Sequence, residues 1–262
     1  MNRKRLGLIF AAALILPCSE SLRAGCPAPQ TLEEAKSKLQ EGVNGWNQAP
    51  LESSRNLFLA LLLKNSEPNG FLLNYLALVD YRLAAFHLSA GNAAEGERYV
   101  SEGQQYATKA VDANPSFGEP YALYAFLLGL ELAFHPDRAM TLGMKSSEWF
   151  AKALEIGPDN PRINLLKGIS QIYVPEAFGG GPDSALPYLE KSAALFEKED
   201  IREPLKPSWG REEVHAYLGR VFRMKKDFDK AKSHLTKAVE INPDFGLAKA
   251  ELQAMVRNEP ER

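Results

Sequence analysis

Along most of this chain apolar residues recur every three to four positions, the period of an amphipathic helix. The pattern is punctuated by prolines. Lys109-Ala110-Val111-Asp112 runs into Asn114-Pro115, Lys152-Ala153-Leu154-Glu155 into Gly157-Pro158, and Lys237-Ala238-Val239-Glu240 into Asn242-Pro243. A proline has no backbone N–H and clashes with the preceding turn, so each marks the end of a helix. The spacing predicts five helical hairpins over about 31–66, 70–114, 118–157, 161–199 and 211–242. A closing helix follows from Asp244 to Asn258. Its apolar stripe is Phe245, Ala248, Leu252, Met255 and Val256, with Lys249, Glu251 and Arg257 facing water as a polar cap. Surplus length between the repeats falls in two expected loops, His135–Gly143 and Pro175–Pro182, and in a longer join at 200–210. Alternating Val, Ile and Thr runs are missing, so the expected fold class is all-α.

Glu212 to Phe245 is the clearest unit. Counted from Glu212, it places Leu218-Gly219 at 7 and 8, Phe222 at 11, Ala231 at 20, Ala238 at 27 and Pro243 at 32. Small residues at 8 and 20 let two helices cross closely. This unit resembles the tetratricopeptide repeat, a 34-residue helix–turn–helix. His215 stands where that family prefers Trp, and Leu235 where it prefers an aromatic residue. The resemblance implies a TPR-like solenoid over 31–258 whose first helices line a concave groove through positions 2, 5, 9, 12 and 13.

Those positions nominate the site. In the last hairpin they are Glu213, Ala216, Arg220, Arg223 and Met224, of which Glu213, Arg220 and Arg223 are the peptide-groove candidates. With Gly168 as position 8, the fourth hairpin offers Arg162, Leu165, Ile169, Ile172 and Tyr173. With Gly129 as position 8, the third offers Leu123, Phe126, Leu130, Ala133 and Phe134. Tyr121 to Phe134 is apolar nearly all round, with Glu131 its single charge, and a helix of that kind is buried on every side. Two readings stand. Either Phe126, Leu130, Phe134, Leu165 and Ile169 are core, or they line an apolar groove with Arg162 and Tyr173 at its polar end.

Charge removes some partners. Lys and Arg number 31 against 33 Asp and Glu, so there is no basic excess to attract nucleic acid. Residues 1–24 read as an export signal, with Arg3, Lys4 and Arg5 ahead of the eleven-residue apolar stretch Leu6–Leu16 and a small residue, Ala24, before the cut. Removal of this segment leaves 27 basic against 32 acidic residues and no stretch long enough to span a membrane. Ala24-Gly25-Cys26 also resembles the end of a lipobox, so a lipid anchor on Cys26 is the alternative. The localisation expected is periplasmic or secreted, or membrane-anchored as a lipoprotein.

Enzyme signatures are absent. His87, His135, His215 and His234 are scattered without metal-ligand spacing, no nucleophile elbow occurs, and Gly179-Gly180-Gly181 lacks the Lys-Ser/Thr of a phosphate loop. No metal, cofactor or catalytic set is therefore expected. Pro175 to Ala185, followed by the helix Leu186–Glu197, is similar to the periplasmic T-component of TRAP transporters. That resemblance implies a helical protein with an apolar pore working beside a solute-binding protein. Two functions follow: a non-catalytic scaffold of the bacterial cell envelope that holds a protein or peptide segment in its groove, or a binder of an apolar small molecule that assists a transporter.

Overall fold

A computed structural model describes residues 31–65 and 67–257; residues 1–30, with the expected export signal and Cys26, and the last residues from 258 lie outside the described residues. Eleven α-helices account for about three quarters of these residues. They are α1 (Leu32–Gly45), α2 (Gln48–Leu63), α3 (Gly70–Ser89), α4 (Ala93–Ala113), α5 (Glu119–Glu131), α6 (Ala139–Ile156), α7 (Pro161–Tyr173), α8 (Pro182–Lys198), α9 (Arg211–Met224), α10 (Phe228–Ile241) and α11 (Gly246–Arg257). Starts are set by side-chain caps. Thr31, Asn47, Asn69, Asn92, Asn160 and Asp227 each accept from a backbone N–H in the first turn, satisfying donors the helix itself cannot.

The helices pair as α1–α2, α3–α4, α5–α6, α7–α8 and α9–α10, and the first helices α3, α5, α7 and α9 lie side by side. The expected all-α, TPR-like solenoid is what forms. One boundary differs: of the expected loop His135–Gly143, only the start is irregular, because a 3₁₀ turn at Pro136–Arg138 leads straight into α6 at Ala139.

Close helix crossings set the register. A Cβ on Gly42 would stand 2.6 Å from Leu51, one on Gly168 2.7 Å from Leu189, and one on Gly219 2.6 Å from Leu235, so position 8 in these hairpins admits only hydrogen. In the third hairpin Gly129 is exposed with open space beside it. The crossing there is made by Ala125, whose carbonyl accepts from Ser146 Oγ at 2.8 Å. The true register is therefore four residues earlier than Gly129 implies. Gly118 becomes position 1, and Glu119, Ala122, Phe126, Gly129 and Leu130 face the concave side. A glycine near the expected place misled the sequence reading because an alanine does the same steric work.

The array also closes on itself. Instead of capping the stack with a polar face, α11 packs against α9 and α10 on one side and α1 on the other. A Cβ on Gly246 would lie 2.5 Å from the Asn44 carbonyl oxygen. Asn242 Nδ2 donates to Asn44 Oδ1 at 2.8 Å, and Gln40 Nε2 donates to Glu212 Oε1 at 2.6 Å. Phe245 and Ala248 are buried as expected, Leu252 and Met255 pack partly on the core, and the Val256 side chain lies outside the described residues. Glu251 turns inward rather than to water and holds Arg220 and Arg223 at 2.8 and 3.0 Å.

Candidate functional site

Closing the ring turns the concave face into an interior. Its charges come from position 2 of the first, third, fourth and fifth hairpins, Lys36, Glu119, Arg162 and Glu213, and from Arg82 of the second. Arg162 holds Glu199 through two bonds of 2.5 and 3.0 Å and lies 3.8 Å from Glu119. Arg82, from the middle of α3, reaches across to α9 and binds Glu213 at 2.7 and 2.8 Å. Burial pushes the carboxyls of Glu119 and Glu213 up, and the facing guanidiniums oppose it. Buried ions persist only when paired in this way. On the outer side, burial pushes Asp80 up to about 7 although Arg55 sits 2.5 Å away.

The long join at 199–210 fills what space remains. Trp209 is buried between the guanidiniums of Arg82 and Arg162, 5.4 and 6.0 Å from its ring centre. The cavity left beside it, bounded by Lys36, Gln40, Tyr75, Arg82, Trp209 and Glu213, measures about 30 Å³. That is the room one water needs.

The sequence-nominated residues separate into two groups. Arg162, Leu165 and Ile169 are closed off, and Phe126, 7% exposed, packs edge-on to Tyr81 with ring centres 4.8 Å apart. Leu130 is half-buried, and Phe134 leans on α4, where a Cβ on Gly96 would meet its ring at 3.0 Å. Glu213 is locked to Arg82. Of these, only Leu130 and Phe134 keep part of their surface open. Arg220, Arg223 and Tyr173 do reach the surface: Tyr173 is 64% exposed, and its hydroxyl accepts from Arg220 at 3.0 Å.

Tyr173 belongs to a pattern that sequence reading missed. The first helices run parallel, so every turn inside a hairpin falls on one rim of the ring and every join between hairpins on the other. Of nine large apolar side chains exposed among the described residues, eight lie at or near the hairpin turns: Trp46, Leu88, Met140, Met144, Tyr173, Phe178, Met224 and Phe228. Leu63 is the exception. Neighbouring turns touch, since Trp46 Nε1 donates to Ser89, and Lys225 of the α9–α10 turn pairs with Asp183 at the start of α8. Single exposed apolar residues are ordinary; here they gather on one edge. In sequence these residues sit in short polar turns and carry no period, so only the parallel stacking brings them together.

The triple glycine shapes this rim. Gly179 and Gly181 adopt φ of +81° and +90°, and any side chain on Gly180 would collide with the Val174 carbonyl. The tight turn thrusts Phe178 outward, 80% exposed. Among the described residues no three His, Cys, Asp or Glu gather as a metal site, and no helix is long and apolar enough to cross a membrane.

Two histidines do meet, at the α9–α10 crossing: His215 Nδ1 lies 3.2 Å from His234 Nδ1. Burial, with His234 and Lys237 nearby, pulls His215 down to about 4 from the ordinary 6.5. The folded ring is neutral, while the unfolded one gains a proton below 6.5. Its contribution to stability is whole above that value and is lost as pH falls toward about 4. The melting temperature of the wild type should therefore drop further between pH 7 and 4.5 than that of His215→Phe; equal drops would show that this ring does not carry the acid sensitivity.

The Tetratricopeptide repeat family matches residues 212–245. The last hairpin is a tetratricopeptide repeat. Two solved structures extend that likeness to the whole TPR-like array. The HusA haemophore from Porphyromonas gingivalis is similar at 24% identity and a TM-score of 0.61, over 74% of this chain and 91% of that one. A thermophilic TPR protein from Thermus thermophilus, TTC0263, is similar at 18% identity and 0.54, over 85% and 99%. No curated protein matches in sequence. At these identities the shared feature of the TPR-like chain is its fold.

Proposed function

We propose that this TPR-like protein is a non-catalytic interaction module of the bacterial cell envelope that docks a protein partner on its apolar rim. The carrying observation is the concentration of exposed apolar side chains on the hairpin-turn edge. Tyr173, Phe178, Met224 and Phe228, on adjoining turns, are the anchors, and Arg220 and Arg223 border them. Aromatic and Met residues beside arginine are what interface cores are enriched in. The perturbed carboxylates Asp80, Glu119 and Glu213 are each engaged by an arginine or by amide donors, and the cavity that Glu213 borders is only about 30 Å³, which supports a structural role for them. The export pattern at residues 1–24 supports the envelope assignment.

A photo-reactive residue at position 178, introduced in the organism of origin, should yield one cross-linked species of defined mass. That species should disappear when Phe228→Asp and Met224→Glu are added, while circular dichroism stays unchanged because these sites are exposed. A product that survives both substitutions would sink the rim assignment.

The likeness to a haemophore favours a second reading, an apolar planar ligand taken on the same rim or in a reopened centre, as the loop similar to the TRAP T-component also implies. Titration with haem separates the two. A saturable Soret shift lost in Phe178→Asp supports ligand binding at the rim, and its absence leaves the protein partner.

A further inference from the structure

The other joins between hairpins span four to six residues (64–69, 114–118, 157–160 and 242–245), whereas 199–210 spans twelve. The surplus is not thrown outward. It crosses the mouth of the ring opposite the apolar rim and reaches α1 and α3. Its hold there is of an unusual kind. The Pro204 and Lys206 carbonyls accept from Lys36 Nζ at 2.5 and 3.0 Å, and the Lys206 carbonyl also accepts from the Tyr75 hydroxyl at 3.1 Å. Within residues 200–209 only the Lys206 N–H finds a backbone acceptor, the Glu203 carbonyl. Arg202, Glu203, Pro204 and Lys206 stay exposed, and Trp209 is the inserted group.

The insertion is imperfect. Trp209 Nε1 is buried without a partner, and so are Nε of Arg82 and Nε of Arg162, the two guanidiniums that flank the indole. Buried donors in a settled core are almost always satisfied. Here three lie together at a place where a segment with a single turn at 203–206 rests on helix side chains through its carbonyls, Leu205, Pro207 and one aromatic ring. Those are the contacts of a bound peptide rather than of a folded element.

We propose that residues 200–209 are an autoinhibitory self-ligand, holding the concave face against a tryptophan-bearing segment of a partner protein and giving way to it. The partner segment lays backbone carbonyls on Lys36 and Tyr75, puts its indole between Arg82 and Arg162, and brings an acceptor for the unpaired N–H groups. Because the strap is tethered, it competes at an effective concentration of about millimolar, so a free peptide binds the intact protein weakly.

The test uses the full chain and a labelled synthetic peptide with the sequence of residues 200–210, its Arg202 and Lys206 replaced by Gln. Trp209→Ala should keep its helical circular dichroism and bind this peptide at least about tenfold more tightly than the wild type does. A peptide carrying Trp209→Ala should not bind. With the wild type, saturating peptide should speed tryptic cleavage after Arg202 severalfold as the strap is displaced. The proposal falls if Trp209→Ala loses its fold, which would make the indole plain core. It falls equally if both proteins bind alike, or if peptide leaves the cleavage rate unchanged. Rim substitutions such as Phe178→Asp should not alter peptide binding, so failure here and failure of the rim reading are told apart.

Discussion

Phe126→Asp should unfold the protein rather than empty a ligand site. The ring is closed from water, stacked edge-on against Tyr81, and surrounded by the buried residues of α3 and α5. Removing it forfeits about 3–5 kcal/mol for a buried aromatic, and an unpaired carboxylate in the same place adds several more. A domain with about 5–15 kcal/mol in hand does not survive that sum. Loss of the helical circular dichroism signal at 25 °C, or failure to recover soluble protein, is the expected result. A folded Phe126→Asp variant would mean that the centre opens readily and would return the apolar-groove reading to the front.

That expectation separates what the sequence carries from what it does not. Hairpin number, helix ends and the last repeat were readable because caps, prolines and crossing glycines act locally. All-round apolarity from Tyr121 to Phe134 announced a buried helix, and 122–128 are buried; α5 ends at Glu131, and Gly129 and Ala133 are exposed. Ring closure was not readable, since Asn44 and Gly246, or Arg82 and Glu213, lie far apart in the chain and meet only after the whole superhelix has coiled. A signal for the buried ion pairs did exist. Asp80 and Arg82 interrupt the otherwise apolar α3, and charges set in such a run require partners. Their partners, Arg55 and Glu213, could not be named without the fold. The apolar rim escaped for a related reason: Phe178 and Phe228 are isolated along the chain and become neighbours of a kind only through parallel stacking.

Glu213→Ala should cost roughly 3–5 kcal/mol, because it leaves the Arg82 guanidinium buried without its bidentate carboxylate. The damage is not confined to one repeat, since this pair joins α3 to α9 across the ring. Urea unfolding should show a lower midpoint together with weaker protection of α1 and α11 in hydrogen exchange. The double variant Arg82→Met, Glu213→Leu should recover most of the loss, because apolar groups of similar size replace a buried ion pair at little cost. Recovery that fails to appear would mean that the pair contributes net stability rather than merely satisfying itself.

An open solenoid is a line: it has two ends, frays from either, and can gain or lose a repeat by one more stacking step. The contact of α11 with α1 makes this chain a cycle instead. Among the described residues every hairpin has a neighbour on both sides, with α11 serving as that of the first. Duplicating a hairpin would leave no place to insert it, and deleting one would open a gap that the remaining four could not span. Copy number, variable in most repeat arrays, is fixed here by geometry at five.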